Sequence, residues 1–137
     1  MRITTQGDYA LRCVLNIARH GQAGPVSIKS IAREEGLPAD YIEQLLLKLR
    51  RHRLIKSIRG AKGGYLLGRA CGRMNIRDIL IAVEGTAFEM ICTRQKKSNS
   101  HKCKGASVCV LKNVWLHLKD KIEEYLAGVT IESLLNK

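Results

Sequence analysis

Apolar residues return every three or four positions in several separate stretches of this chain. The spacing puts Tyr9, Cys13, Val14, Ile17 and Ala18 on one face of a first helix. Thr5 with Asp8 three residues later predicts a capping-box start, with Asp in place of the usual Glu, and Gly21 predicts the stop. After a Gly24-Pro25 turn, Ser27 is placed to cap a short helix that turns Ile28, Ile31 and Ala32 inward and ends at Gly36. Pro38 or Ala39 opens a third helix with Tyr41, Ile42, Leu45, Leu46 and Leu49 on its inner face. Two helices joined by the tight Gly36-Leu37-Pro38 turn outline a helix-turn-helix.

The period then changes. An alternation begins at Leu54, Lys56 and Ile58, a glycine-rich turn spans Gly60 to Gly64, and Tyr65-Leu66-Leu67 form the return strand. Asn75 is placed to cap a helix over Ile76 to Glu84, closed by Gly85. Thr93 to Gly105 is polar and aperiodic and predicts an exposed loop. A long helix follows from about Ser107 to Ala127, and Thr130 caps a last turn ending in Leu134-Leu135. The expected fold is mainly α with a small β-hairpin wing. A winged helix-turn-helix occupies residues 1–70, and a loop with a long C-terminal dimerisation helix occupies residues 71–137. The apolar stripe of that helix, from Val110 to Leu126, is wide enough to serve both a core and a partner helix, so a homodimer is expected.

Charge adds a partner. The chain has a formal net charge of +12 and a pI near 9.8, which favours a polyanion. Between Gln44 and Arg77 lie ten basic residues and no acidic one. On the third helix, Ala39, Asp40, Glu43, Gln44 and Lys48 face away from the leucines, with Tyr41 counted beside them. Gln44 suits adenine and Glu43 suits the cytosine amine, while Lys48 and Arg51 suit phosphates. Arg59 and Lys62 sit among the wing glycines, where an arginine can enter a narrow minor groove. The ordinary alternative for each is a solvated polar surface; the turn before them and the wing after them favour a double-stranded DNA operator, pseudo-palindromic for a dimer. No apolar run of ~20 residues or signal-peptide pattern is present, so a cytoplasmic location without membrane contact is expected. No nucleophile–base pair or phosphate loop with a lysine is found, so enzymatic function is not expected.

Five cysteines fall into two groups. Cys13 lies on an apolar helix face and Cys71 has no partner at ligand spacing, so both read as structural. Cys92, Cys103 and Cys109 form C-x10-C-x5-C in a lysine-rich stretch where positive charge favours thiolates. Three thiolates suit an iron–sulfur cluster, zinc or copper(I), and leave one ligand position to fill.

The start MRITTQGDYALR, the segments LPADYIEQLLLKLR and LIKSIRGAKGGYLLGR, the run NIRDILIAVEG and the three downstream cysteines together resemble the Rrf-type bacterial winged-helix repressors, which include the IscR and NsrR kinds. The resemblance covers nearly the whole chain. It implies a domain-crossed dimer held by the long C-terminal helix. It further implies a 4Fe-4S or 2Fe-2S cluster on Cys92, Cys103 and Cys109, the former favoured, whose response to nitric oxide, redox state or iron changes DNA affinity. The family usually spaces these cysteines C-x5-C-x5-C, so the first gap is longer here, around Lys96–His101. Where some members carry a ligand histidine, this chain has Lys112. The resemblance to the nitric-oxide-sensing type implies Asp8 as fourth ligand, reaching across from the other subunit, ahead of His101. Alternatives are a winged-helix regulator with structural zinc or a thiol switch, and a cluster-free regulator controlled by a protein partner.

Overall fold

The structure, a computed structural model, describes residues 3–88 and 109–137. Helix α1 runs Thr5–His20. Its N-cap is Thr4 rather than Thr5: Thr4 has extended backbone, and its hydroxyl accepts from the Gly7 N–H at 3.1 Å. Thr5 is already helical, so the capping box read from Thr5 and Asp8 does not form. Asp8 lies one turn into the helix, where its carboxylate accepts from Arg12 Nε at 2.8 Å.

The next two helices follow the pattern more closely. Ser27 Oγ accepts from the Ser30 N–H and starts α2, Ile28–Glu35. Gly36 ends it in the left-handed region (φ 66°), a conformation glycine adopts without a Cβ penalty, with its N–H donating to Ala32 O. Pro38 then stands at the N-cap of α3, Ala39–Arg51. The exit from α3 is a Schellman motif: the Leu54 N–H donates to Leu49 O at 3.1 Å and the Arg53 N–H to Arg50 O at 2.9 Å. Arg53 takes the left-handed position (φ 59°) that usually belongs to glycine. It is the sole non-glycine residue at positive φ among the described residues.

This exit displaces the strand alternation expected from Leu54. Leu54 closes the helix end and is buried, and strand β1 covers Ile55–Ile58, with Ile55 buried and Lys56 and Ile58 exposed. Strand β2, Gly64–Leu67, pairs antiparallel in the register Ile55↔Leu67, Lys56↔Leu66, Ser57↔Tyr65 and Ile58↔Gly64. Tyr65 also exchanges two backbone hydrogen bonds with Val26, which ties the wing to the segment before α2. Gly64 (φ 153°) makes that approach possible, since a Cβ there would stand 2.6 Å from Val26 O.

Beyond a single 3₁₀ turn at Cys71–Arg73, Asn75 Oδ1 accepts from the Asp78 N–H and caps α4, Ile76–Glu84, which ends at Gly85. Helix α5 spans Val110–Gly128 and α6 spans Ile131–Leu135, capped by Thr130. Backbone bonds from Ile76 to Val129 O and from Ile131 to Met74 O pin the chain end beside the start of α4. One aliphatic core results. Ala10, Cys13, Val14 and Ile17 of α1 meet Ile31, Ile42, Leu45, Leu46 and Leu49, and beyond residue 70 also Met74, Ile79, Val83 and Ile131. Fully burying each large aliphatic side chain contributes about 1.5–3 kcal/mol.

Arg53 carries a backbone cost that glycine would not. Arg53→Gly is expected to stabilise the fold by about 1 kcal/mol, read as a higher urea midpoint at unchanged m-value. A lower midpoint would show that the Arg53 side chain, rather than its backbone, holds this turn.

Candidate nucleic-acid interface and sensor residues

Burial separates two faces of α3. Ile42, Leu45, Leu46 and Leu49 face the core, while Ala39, Asp40, Glu43, Gln44, Arg50 and Arg51 are exposed. Helical spacing gathers the expected base and phosphate contacts Ala39, Asp40, Glu43, Gln44 and Arg51 on this one free face. Tyr41 is different. It is half-buried and stacks edge-on against Tyr9 of α1, with ring centroids 5.8 Å apart and planes at 81°. Lys48 is also half-buried, and its Nζ donates to the Val83 carbonyl at 3.4 Å.

The Val83 carbonyl is a small junction. It accepts from Gln6 of α1 as well as from Lys48 of α3, at the C-terminal end of α4. Beside it, burial pushes the Glu84 carboxyl up, against the Gly7 N–H and the Lys48 charge, which pull it down. Three helices thus meet where α4 leads into the cysteine-bearing segment. Sequence periodicity gives no sign of this, because the contacts join residues more than thirty positions apart.

At the wing, Arg59 and Lys62 are exposed at the hairpin tip, and Lys56 projects from β1. Arg50 Nη1 donates to Ser57 Oγ at 3.4 Å, linking α3 to the wing. Arg69 pairs with Asp78 at 3.5 Å and donates to His52 O at the end of α3 at 3.4 Å. Arg50, Arg51, Lys56, Arg59 and Lys62 are all exposed, on α3 and on the wing hairpin that the Arg50–Ser57 bond joins to it.

A polar clamp not foreseen from sequence sets α2 against α1. Asn16, 1% exposed, donates through Nδ2 to Glu34 Oε2 at 2.9 Å and to Glu35 Oε1 at 3.1 Å. His20 Nε2 lies 2.8 Å from the same Glu34 oxygen. The Asn16 bond first and the His20 bond second hold the Glu34 carboxyl below its ordinary range. The clamp's one sequence signal is an asparagine between Val14 and Ile17 on the apolar side of α1.

Of the candidate metal ligands, Asp8 and Cys109 are described, whereas Cys92, Cys103 and His101 lie outside the described residues. The Asp8 side chain is about half exposed near the start of α1. Cys109 is half-buried at the N-cap of α5 and its side chain makes no cap bond. Cys13 is fully buried, and burial pushes its thiol up to about 12, which keeps it protonated and inert at neutral pH. Cys71 packs half-buried at the core edge.

Lys48 and Arg51 stand on one helix but have different attachments, and this separates their expected phenotypes. Lys48→Met should lower both DNA affinity and stability, the latter by about 1 kcal/mol through the lost Val83 contact. Arg51→Met should lower affinity at unchanged stability. Fluorescence anisotropy with a labelled duplex and urea unfolding measure the two quantities; equal stability of both variants would remove Lys48 from the junction.

Comparison with known proteins places this architecture. The model of the Rrf2 family, described as an iron-dependent transcriptional regulator, matches residues 3–137. The regulator IscR of Xenorhabdus nematophila is 34% identical over 135 residues, 98% of this chain and 79% of that protein. Among solved structures, T. potens IscR superposes with a TM-score of 0.78 at 34% identity, covering 99% of this chain and 87% of that one. CymR, the global cysteine regulator of B. subtilis, gives 0.77 at 33% identity, covering 98% and 95%. With its helix-turn-helix, its basic wing and its long penultimate helix, this chain belongs to the Rrf2 family and is a non-enzymatic, DNA-binding transcriptional regulator of the IscR-like kind.

Proposed function

We propose that this regulator is a homodimeric repressor whose operator affinity is switched by an iron–sulfur cluster sensing nitric oxide, redox state or iron. Cys92, Cys103 and Cys109 would hold the cluster, 4Fe-4S in preference to 2Fe-2S, and the partner subunit's Asp8 would complete the donor set. Three thiolates and a carboxylate suit such a cluster. When bound, it supplies a centre reactive toward nitric oxide and oxidants.

The observation that carries this reading is the freedom of Asp8. Thr4 caps α1, so the Asp8 carboxylate is not committed to the helix end. Its partner is Arg12 in an exposed pair one turn apart, a solvent-screened contact that is easily given up. Asp8 stands on the helix whose N-terminal turn meets α4 through Gln6 and Val83, and α3 through Tyr9 and Tyr41. A ligand holding Asp8 therefore acts on the helix that orients the recognition helix.

Within this reading the two parts of the chain divide the work. Residues 1–70 read DNA: Asp40, Glu43 and Gln44 address bases, Ala39 and Tyr41 line the helix opening, Lys48 and Arg51 meet phosphates, and Arg59 and Lys62 serve the wing. Residues 71–137 sense and dimerise. Helix α5 supports the dimer, since none of its residues is buried and Val110, Leu111, Val114, Trp115 and Leu118 are exposed along it. Two such subunits address a pseudo-palindromic site with half-sites about 34 Å apart. None of the described helices is long and apolar enough to cross a membrane, and we place the regulator in the cytoplasm, with the DNA.

A thiol switch is the second reading. It is favoured by the similarity to Staphylococcus aureus CymR, solved in an oxidized form (33% identity, TM-score 0.75), and by the partial exposure of Cys71 and Cys109. Anaerobic purification separates the two. The cluster reading expects coloured protein with iron and acid-labile sulfide, and an Asp8→Ala variant that keeps iron but shifts its absorption. Colourless protein whose DNA binding ignores iron overturns it, and zinc in its place supports a structural metal instead. Independently, Arg59→Ala should weaken operator binding roughly fivefold at physiological salt; unchanged affinity removes the wing from the interface.

A further inference from the structure

Leu47 breaks the division of α3 into a polar and an apolar face. In the run Leu45-Leu46-Leu47, the first two side chains are 1% and 0% exposed, but Leu47 is 40% exposed. Helical spacing places it one turn beyond Glu43 and Gln44 and one turn before Arg51, all exposed. Within helices α1 to α4, it is the sole large apolar side chain so exposed among the described residues. A single exposed leucine on an ordinary surface needs no explanation. This one sits in the middle of the face that a recognition helix turns to DNA.

We infer that Leu47 is a specificity-determining residue that contacts the C5-methyl group of a thymine in the major groove. The inference rests on the DNA-reading role of α3 and adds to it a base read by its methyl group rather than by a hydrogen bond. The thymine methyl is the apolar group that the major groove offers, and it distinguishes one base from the other three. The surroundings argue for nucleic acid over an apolar protein partner, because Leu47 shares its helix with the exposed Arg50 and Arg51 and the wing carries the exposed Lys56, Arg59 and Lys62. Geometry fixes the neighbourhood. Four residues of helix rise about 6 Å, close to two base-pair steps of about 3.4 Å. The thymine therefore lies within about two base pairs of the base that Glu43 or Gln44 addresses.

The test begins with duplexes selected by the full-length protein from a randomised library, so no operator has to be assumed. Each thymine of the best site is then replaced in turn by deoxyuridine, which lacks the methyl but pairs identically. The wild type is expected to lose about 3- to 10-fold in affinity at one position per half-site. Gln44→Ala should change base preference within two base pairs of that position. Leu47→Ala, a surface change whose folding is checked by circular dichroism, should bind the thymine and deoxyuridine duplexes equally, and Leu47→Met should retain the difference. Equal binding of every deoxyuridine duplex by the wild type overturns the assignment, as does a methyl dependence that survives in Leu47→Ala. If no duplex is enriched at all, the DNA-reading role of this chain fails first, and the thymine contact with it.

Discussion

The first helix is the surface against which everything else is placed. Its buried stripe, Ala10, Cys13, Val14 and Ile17, has no exposure, and α2, α3, α4, β2 and α6 all pack on it. Residues before and after position 70 therefore share one aliphatic interior. Interiors packed to crystal-like density shift in discrete steps rather than deform smoothly, so a movement of α1 cannot be absorbed locally. The first turn of α1 is equally tight: a Cβ on the buried Gly7 would come within 2.8 Å of Leu80 in α4. Helix α3 and the helix that leads into the cysteine segment are held by the same part.

Most of this architecture can be read from local chemistry. Ser27, Asn75 and Thr130 each bond an amide a few residues away, so their roles follow from sequence distance alone. Thr4 and Thr5 are adjacent and chemically equal, and only the chain's path into α1 decides between them. The end of α3 is obscured because Arg53 stands where a glycine would announce the turn. Without that marker the strand alternation is read one residue early, at Leu54.

The site is legible in its parts and hidden in its connections. The polar face of α3 and the basic wing follow from periodicity and charge, whereas two of the three spaced cysteines, Cys92 and Cys103, lie outside the described residues. Lys48 looks from sequence like a free cation. Its second attachment, to the Val83 carbonyl, depends on the packing of α3 against α4 and has no local signature. Asn16 is a similar case: its amide serves two carboxylates on another helix. Leu47 stands off the inner face that periodicity draws through Leu45, Leu46 and Leu49, but its exposure depends on α3 leaving one side uncovered, which is decided by packing.

The core is built almost without aromatic rings, and the chain's single tryptophan, Trp115, lies on α5 with 44% of its surface exposed. Its indole emission is thus blind to the interior that holds the fold together. What it registers is the polarity next to α5, so the protein carries an optical probe of that helix's surroundings built into its own sequence.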